Sequence, residues 1–166
     1  MSLISPTFVI RHRRENRKKC SLRGLEAQEG FHFIPYPLTC PLPSLSNYLL
    51  LSLEAEEILS PEEGEKGLIL LDGTWRYAKK MEENLPILKN VPKRGLPSGF
   101  QTAYPRRQDD CSDPTLGLAS IEALYIAYTL LQRDVTGLLD AYYWKEEFLK
   151  KNHEMITCMS KKNTGN

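Results

Sequence analysis

Two uninterrupted aliphatic runs restrict the fold of this chain more than any other feature of its sequence. "YLLLSL" occupies residues 48–53 and "GLILLD" occupies residues 67–72, and neither alternates polar with apolar side chains. Strands that are buried on both faces have this pattern, and they occur in parallel sheets whose crossover connections carry helices over the faces. The two runs therefore predict the central strands of a mostly parallel sheet.

Shorter segments add further strands and helices in alternation. The other β-rich runs are "TFVI" (7–10), "FHFIPY" (31–36) and a short one near "GFQTAY" (99–104). Helical periods are found from Trp75 onward, with bases on the outer side, and over 117–132 and 134–152. Strands that alternate with helices indicate the α/β class.

The charge of this chain is balanced overall and unbalanced locally. Its 166 residues include 22 Lys and Arg against 21 Asp and Glu, and 41% hydrophobic residues suit one soluble domain. Acids concentrate in residues 54–65, whereas bases concentrate between Arg11 and Arg23. The basic segment is a candidate surface for a polyanion, and a solvated arm without a specific partner is the alternative.

The motifs of several common sites are missing. The cysteines are far apart and form no Cys-x-x-Cys, so we expect reduced thiols, no metal site and a cytoplasmic protein; they are Cys20, Cys40, Cys111 and Cys158. No apolar run is long enough to cross a bilayer, so we expect no membrane partner. Without a Walker-type loop, Gly-x-Gly-x-x-Gly or Gly-x-Ser-x-Gly, phosphate transfer, nicotinamide chemistry and serine hydrolysis lose their usual support.

Asp72, Gly73 and Thr74 stand where the second aliphatic run ends. Ligands of open α/β sheets bind beyond the carboxyl ends of the strands, and these residues occupy such an end. Glycine permits close approach of a ligand, and a carboxylate that faces the cleft can accept hydrogen bonds or take a proton. The alternatives are that Asp72 or Thr74 only caps the next helix, and that Trp75 belongs to the core.

Two helical segments contain polar residues of undecided role. Glu122 either orients a loop or is an exposed helix residue. Trp144, Phe148 and Asn152 recur at helical spacing on one face. That spacing favours packing over catalysis.

Five short motifs in order make the chain similar to a known family. They are "KKCSLRGL" (18–25), "ILSPEE" (58–63), "LDGTW" (71–75), "LASIEALYIA" (118–127) and "WKEEFLKKN" (144–152). Residues 7–153 thereby resemble the small-subunit rRNA aminocarboxypropyltransferases, ribosome-biogenesis proteins related to the DTW-domain tRNA-uridine aminocarboxypropyltransferases.

The resemblance implies a SPOUT-like fold, with a mostly parallel sheet flanked by helices and a C-terminal trefoil knot that binds S-adenosylmethionine. It also implies a single domain over residues 1–153. Within that domain, residues 1–40 form a basic part and residues 65–153 the knotted cofactor-binding part. Residues 154–166 are expected to be a disordered tail.

The implied reaction is an alkylation of RNA. A uridine-ring nitrogen attacks the γ-carbon of the methionine moiety of S-adenosylmethionine, takes up the 3-amino-3-carboxypropyl group and releases methylthioadenosine. Alignment of the reactants, aided by a carboxylate, suffices for such a step. The expected substrate is small-subunit rRNA; "DGTW" is more typical of the tRNA enzymes, so tRNA is an alternative. Methyl transfer from the same cofactor and RNA binding by an assembly factor without catalysis are two further hypotheses.

The resemblance assigns site residues by their position in the motifs. Asp72 matches the acid near the reactive centre, and Trp75 matches the tryptophan at the methionine end of the cofactor. Further implied cofactor contacts are Ser21, Leu71, Gly73 and, for the adenosine, Tyr104, Leu118, Ala119 and Ser120. The implied contacts to RNA phosphates are Arg11, Arg13, Arg14, Arg17, Lys18 and Lys19.

Overall fold

The computed structural model describes residues 4–105 and 117–164. The chain divides into two compact units, one of Met1–Glu57 with Glu65–Gly95 and one of Ile58–Gly64 with Leu96–Asn166. The expected cofactor-binding part over residues 65–153 does not coincide with either unit. Residues 65–95 belong to the first unit because they carry a central strand of its sheet and the helix that follows.

The first unit is built on a five-stranded sheet in which the described pairings are all parallel. Its strands are β1 (Thr7–His12), β2 (Phe31–Tyr36), β3 (Tyr48–Leu51), β4 (Gly67–Asp72) and β5 (Lys93–Arg94), in the order β2-β1-β4-β3-β5. The two aliphatic runs form β3 and β4, which pair with each other, and every residue of β3 is buried. The predicted α/β class and parallel sheet are confirmed.

One helix packs on one face of this sheet. α1 (Trp75–Asn84) follows β4 directly and buries Met81. Met81 shares an apolar cluster with residues from three strands, including Phe8, Ile10, Leu50 and Ile69. The bases on the outer side of α1 are exposed, as the helical period predicts; they are Arg76, Lys79 and Lys80.

The connection between β1 and β2 covers part of the opposite face. Successive residues of a strand point to opposite faces, so Arg11 and Asp72 lie on the face away from Ile10. The connection buries Cys20 and contains a 3-10 helix over Leu25–Ala27 that contacts β2. The segment that carries the basic residues therefore also covers the end of β4.

The described part of the second unit is mainly helical. It contains α2 (Ser120–Leu130), α3 (Lys145–Lys151) and α4 (His153–Thr164), and α4 packs against α2 and α3. The strand predicted near "GFQTAY" is replaced by an irregular segment. Side chains of Asn152 and Glu122 bind the backbone of Gln101 and Ala103, where a neighbouring strand would otherwise bind. No helix in the described ranges is long and apolar enough to cross a membrane.

Two predictions for the C-terminal region differ from the structure. The helix expected over 134–152 begins only at Lys145, because Gly137 has a positive φ of 76° and turns occupy the preceding residues. The tail expected to be disordered from residue 154 is helical through Thr164. The backbone of α4 follows directly on Asn152, whose carbonyl oxygen accepts a hydrogen bond from the Ile156 N–H. A lysine-rich end concealed this helix in the sequence.

Candidate active site and nucleic-acid interface

A buried ion pair joins the carboxyl ends of β1 and β4. Parallel pairing places Arg11 directly beside Asp72. The Nε of Arg11 donates to Oδ2 of Asp72 at 2.8 Å, and the two residues are 7% and 2% exposed. The sheet register therefore brings together an acid and a base that lie 61 positions apart in the chain.

Contacts with Glu26 and Phe33 also hold the guanidinium of Arg11 in place. Its Nη1 donates to Glu26 at 3.0 Å, and its guanidinium lies 4.4 Å from the centre of the Phe33 ring. Burial works to lower the pKa of Arg11, but the hydrogen bonds and charges of Asp72 and Glu26 outweigh it, and the pKa lies above its ordinary value. The expectation that Arg11 contacts RNA phosphates is wrong, because its guanidinium is buried and already paired.

Asp72 is not the open carboxylate that the sequence predicts. Its carboxylate is buried, and it accepts from Arg11 and from the thiol of Cys20, which lies 3.3 Å from Oδ2 and 3.5 Å from Oδ1. The connection from β1 to β2 carries Cys20, so the crossover that buries Asp72 also supplies one of its donors. No local sequence pattern signals this pairing, because Cys20 and Asp72 lie 52 positions apart in the chain.

Cys20 is a neutral donor in this cluster. Burial and the negative charge of Asp72 raise the pKa of its thiol to about 12. The thiol therefore stays protonated at neutral pH and can donate to the carboxylate. Burial and the raised pKa both disfavour the thiolate, so we assign Cys20 no nucleophilic role.

Cys20 is expected to resist alkylation by iodoacetamide at about pH 8, whereas the exposed Cys40 and Cys158 react. Peptide mass spectrometry measures the labelling, and the same reaction in urea is the control in which Cys20 is labelled. Equal labelling rates for Cys20 and Cys40 in the native protein would contradict the burial of Cys20.

Because folding raises the pKa of Cys20, the contribution of this thiol to stability is present below about pH 8.5 and is lost as the pH rises toward about 12.

Glu15, Cys20 and Asp72 bring one possible metal-ligating atom each to within 4.8 Å of one another. Their chemistry does not suit a metal ion. Arg11 already neutralises Asp72, and its guanidinium charge beside the carboxylate opposes the approach of a metal cation. We assign no metal to this cluster.

Gly73 and Thr74 have structural reasons to be where they are. A Cβ atom on Gly73 would lie 3.2 Å from the Cβ of Tyr77 and 3.3 Å from the Cβ of His12, so a larger residue would crowd both. The hydroxyl of Thr74 accepts a hydrogen bond from the Tyr77 N–H at 3.3 Å and caps α1. The helix-cap alternative thus holds for Thr74, and it does not extend to Asp72.

The indole of Trp75 has a hydrogen-bond donor for which the described part of the chain offers no acceptor. Its side chain lies at the start of α1, and Nε1 of the indole is shielded from water with no hydrogen-bond partner within the described residues. Buried polar groups are nearly always paired, so each exception calls for an explanation. A purely apolar role in the core does not explain a buried N–H.

The remaining basic residues of the β1–β2 connection are on the surface. The exposed ones are Arg13, Arg14, Arg17, Lys18, Lys19 and Arg23. His12 precedes this segment and contacts α1, because its ring stacks on that of Tyr77 with 4.1 Å between the ring centres. Burial and the charges of Arg13, Arg14 and Lys80 lower the pKa of His12. Six exposed bases on one connection form a surface suited to a polyanion. Ser21, in the same segment, is half-buried.

The second unit contains the residues expected near an adenosine. Tyr104, Leu118 and Ser120 are half-buried, and Ala119 is buried as the N-cap of α2. Residues 106–116 of the expected loop lie outside the described residues, as does Cys111. Glu122 is fully buried in this unit, which removes the alternative of an exposed helix residue.

The fold and the site together define an α/β protein in which an acid-Gly-Thr-Trp motif closes a central strand of a parallel sheet. A family model for the DTW domain matches residues 7–158. The chain belongs to the DTW domain family.

A solved structure has a similar fold: "Structure of the SAM-dependent rRNA:acp-transferase Tsr3 from Vulcanisaeta distributa". Its TM-score is 0.73 at 21% identity, and the similarity covers 95% of this chain and 84% of that one. At this identity the likeness establishes the fold. A search of the curated proteins finds no match.

Proposed function

We propose that this chain transfers the 3-amino-3-carboxypropyl group of S-adenosylmethionine to a uridine-type base in RNA, with small-subunit ribosomal RNA as the substrate. Membership of the DTW family and a fold shared with an rRNA:acp-transferase support the proposal. The observation that carries it is the buried indole N–H of Trp75, which has no acceptor among the described residues. Such an unpaired donor costs about 1–3 kcal/mol, which a bound acceptor recovers.

The cofactor suits the residues around the end of β4. Trp75 offers a donor to the carboxylate of the methionine moiety and an apolar ring to its carbon chain. When bound, S-adenosylmethionine supplies an electrophilic carbon and a neutral leaving group. Contacts from Ser21, Leu71 and Gly73 stay part of the proposal, as do the adenosine contacts Tyr104, Leu118, Ala119 and Ser120 and the trefoil knot.

Asp72 is proposed to orient the uridine through Oδ1. Arg11 occupies Oδ2 at 2.8 Å, whereas Oδ1 has only the weak thiol donor of Cys20, at 3.5 Å, within the described residues. Oδ1 therefore keeps acceptor capacity for a ring N–H of uracil. Alkylation of the ring nitrogen would release that proton, which would pass to Oδ1, so an acceptor held rigidly there would also align the attacking nitrogen.

Replacing Trp75 by Phe removes the indole N–H and keeps an aromatic ring, so it tests the contribution of the N–H by itself. We expect the variant to be as stable as the wild type or more stable, since it removes a buried donor that has no acceptor among the described residues. We also expect it to bind S-adenosylmethionine about tenfold more weakly. Calorimetric titration gives the affinity, and thermal unfolding gives the stability. Replacing the other tryptophan, Trp144→Phe, is the control. No binding by the wild-type protein would favour a non-catalytic RNA-binding factor.

RNA is proposed to bind the exposed bases of the β1–β2 connection. The double replacement Lys18→Gln and Lys19→Gln is expected to weaken binding and to flatten the dependence of log K on log salt by roughly 0.7 per lost contact on single-stranded RNA. Fluorescence anisotropy over a salt series measures both. Lys151→Gln, an exposed base of the second unit, is the control. An unchanged slope in the double variant would exclude these lysines from the interface.

Uridine of tRNA is the second candidate substrate, since the matching family model is that of the DTW domain. Transfer to purified small-subunit rRNA and to tRNA under the same conditions distinguishes the two. The ribosomal substrate predicts that the label from the aminocarboxypropyl group appears in rRNA alone.

A further inference from the structure

A fully buried carboxylate in the second unit has no part in the function described so far. Glu122 has no exposed surface, and its two oxygens accept four hydrogen bonds. Oε1 accepts from the Thr102 hydroxyl at 2.6 Å and from the Ala119 N–H at 2.7 Å. Oε2 accepts from the Ala103 N–H at 2.8 Å and from the Tyr142 hydroxyl at 3.1 Å.

None of these four donors is a cation. Among the described residues, the negative charge is instead satisfied by two backbone N–H groups and two hydroxyls, and by the N-terminal turn of α2, where Glu122 occupies the third position. An isolated buried carboxylate would be strongly unfavourable, so the donors must be held in place for the fold to tolerate it. The arrangement works in both directions, because the carboxylate also fixes the positions of its donors.

The two backbone donors belong to different segments. Ala103 precedes Tyr104, and Ala119 lies between Leu118 and Ser120. One carboxylate thus holds the backbone at both ends of the stretch from which the adenosine contacts are proposed. A carboxylate that accepts from both segments fixes their separation, which neither segment does by itself.

A second side chain, that of Asn152, forms hydrogen bonds with the first of these segments. The amide of buried Asn152 accepts from the Gln101 N–H at 2.7 Å and donates to the Gln101 carbonyl oxygen at 2.8 Å. Asn152 also donates to the Phe148 carbonyl oxygen at 2.8 Å, which anchors it to the end of α3. Residues 101–103 are therefore held by side chains in a stretch that no strand pairs with among the described residues.

We propose that Glu122 is a positioning residue for cofactor binding: it sets the spacing between residues 103 and 119 so that Tyr104, Leu118 and Ser120 meet the adenosine. The inference rests on the proposed function, since it concerns the same cofactor. It assigns to Glu122 an effect on every ligand that contains adenosine, including methylthioadenosine, which lacks the aminocarboxypropyl group.

The test uses Glu122→Gln, in which an amide replaces the carboxylate and one donor must face an N–H₂ group. We expect it to bind both S-adenosylmethionine and methylthioadenosine about tenfold more weakly. Trp75→Phe alters the contact to the other end of the cofactor. It is expected to weaken the binding of S-adenosylmethionine and to leave the binding of methylthioadenosine unchanged. Glu146→Gln, an exposed acid on α3, is the matched control.

Tyr142→Phe keeps the test valid if Glu122→Gln does not fold, because it removes a single donor and leaves the carboxylate in place. It is expected to weaken the binding of methylthioadenosine about threefold, a smaller factor than that expected for Glu122→Gln. Calorimetry is done at a temperature at which thermal unfolding shows each variant to be folded. Wild-type affinity for methylthioadenosine in the folded variants would overturn the inference and leave the proposed function standing. Failure of the wild-type protein to bind either ligand would overturn both.

Discussion

Asp72→Asn is expected to reduce aminocarboxypropyl transfer by about 10²- to 10⁴-fold while RNA affinity stays nearly unchanged. The change keeps the shape of the side chain but replaces one acceptor oxygen by an N–H₂ group, which repels either Arg11 or the N–H of the substrate. The exposed bases of the β1–β2 connection are untouched. Single-turnover transfer to the RNA substrate measures the first effect, and anisotropy measures the second.

Glu15→Gln provides the matched control for that experiment. Its carboxylate lies within 4.8 Å of the Cys20 and Asp72 ligand atoms, so the replacement makes the same change of charge at almost the same place. The carboxylate of Asp72 pairs with Arg11 at the end of β4. Equal losses in the two variants would mean that local charge, rather than the oriented carboxylate of Asp72, supports the reaction.

Arg11→Met is expected to destabilise the protein by about 3–5 kcal/mol, because it leaves the buried carboxylate of Asp72 without its counter-charge. Urea unfolding followed by circular dichroism measures the free energy of unfolding. The double variant Arg11→Met with Asp72→Asn removes both charges and is expected to recover part of the loss, as a double-mutant cycle would show.

The same variant tests whether Arg11 touches RNA. A buried guanidinium contributes no phosphate contact, so Arg11→Met is expected to leave the salt dependence of RNA binding unchanged, in contrast to the change at Lys18 and Lys19. A flattened salt slope together with a loss of stability under about 1 kcal/mol would contradict the ion pair with Asp72.

The sequence predicts the sheet of the first unit well because that part of the fold follows from local patterns. Continuous aliphatic runs give β3 and β4, and a helical period from Trp75 gives α1. Thr74 is recognisable as a helix cap from its place before the apolar period. In each case, the residues that decide the element lie within the element or next to it.

The polar interior is not predictable in this way, because its partners are brought together by the tertiary structure. In the sequence, Arg11 is one base of a basic run, and the register of β1 and β4 is what sets it beside Asp72. Likewise, "GFQTAY" has the composition of a strand, but its backbone partners are the side chains of Asn152 and Glu122, far along the chain. Strand propensity depends on the residues of the segment itself, so it cannot predict hydrogen bonds from side chains far along the chain.

The most direct test of the central claim is the identity of the nucleoside product released from S-adenosylmethionine. The wild-type protein is incubated with the labelled cofactor and small-subunit RNA, and the products are separated by liquid chromatography with mass detection. The account predicts methylthioadenosine together with RNA that has gained an aminocarboxypropyl group, and neither product with Asp72→Asn. S-adenosylhomocysteine with methylated RNA would contradict it.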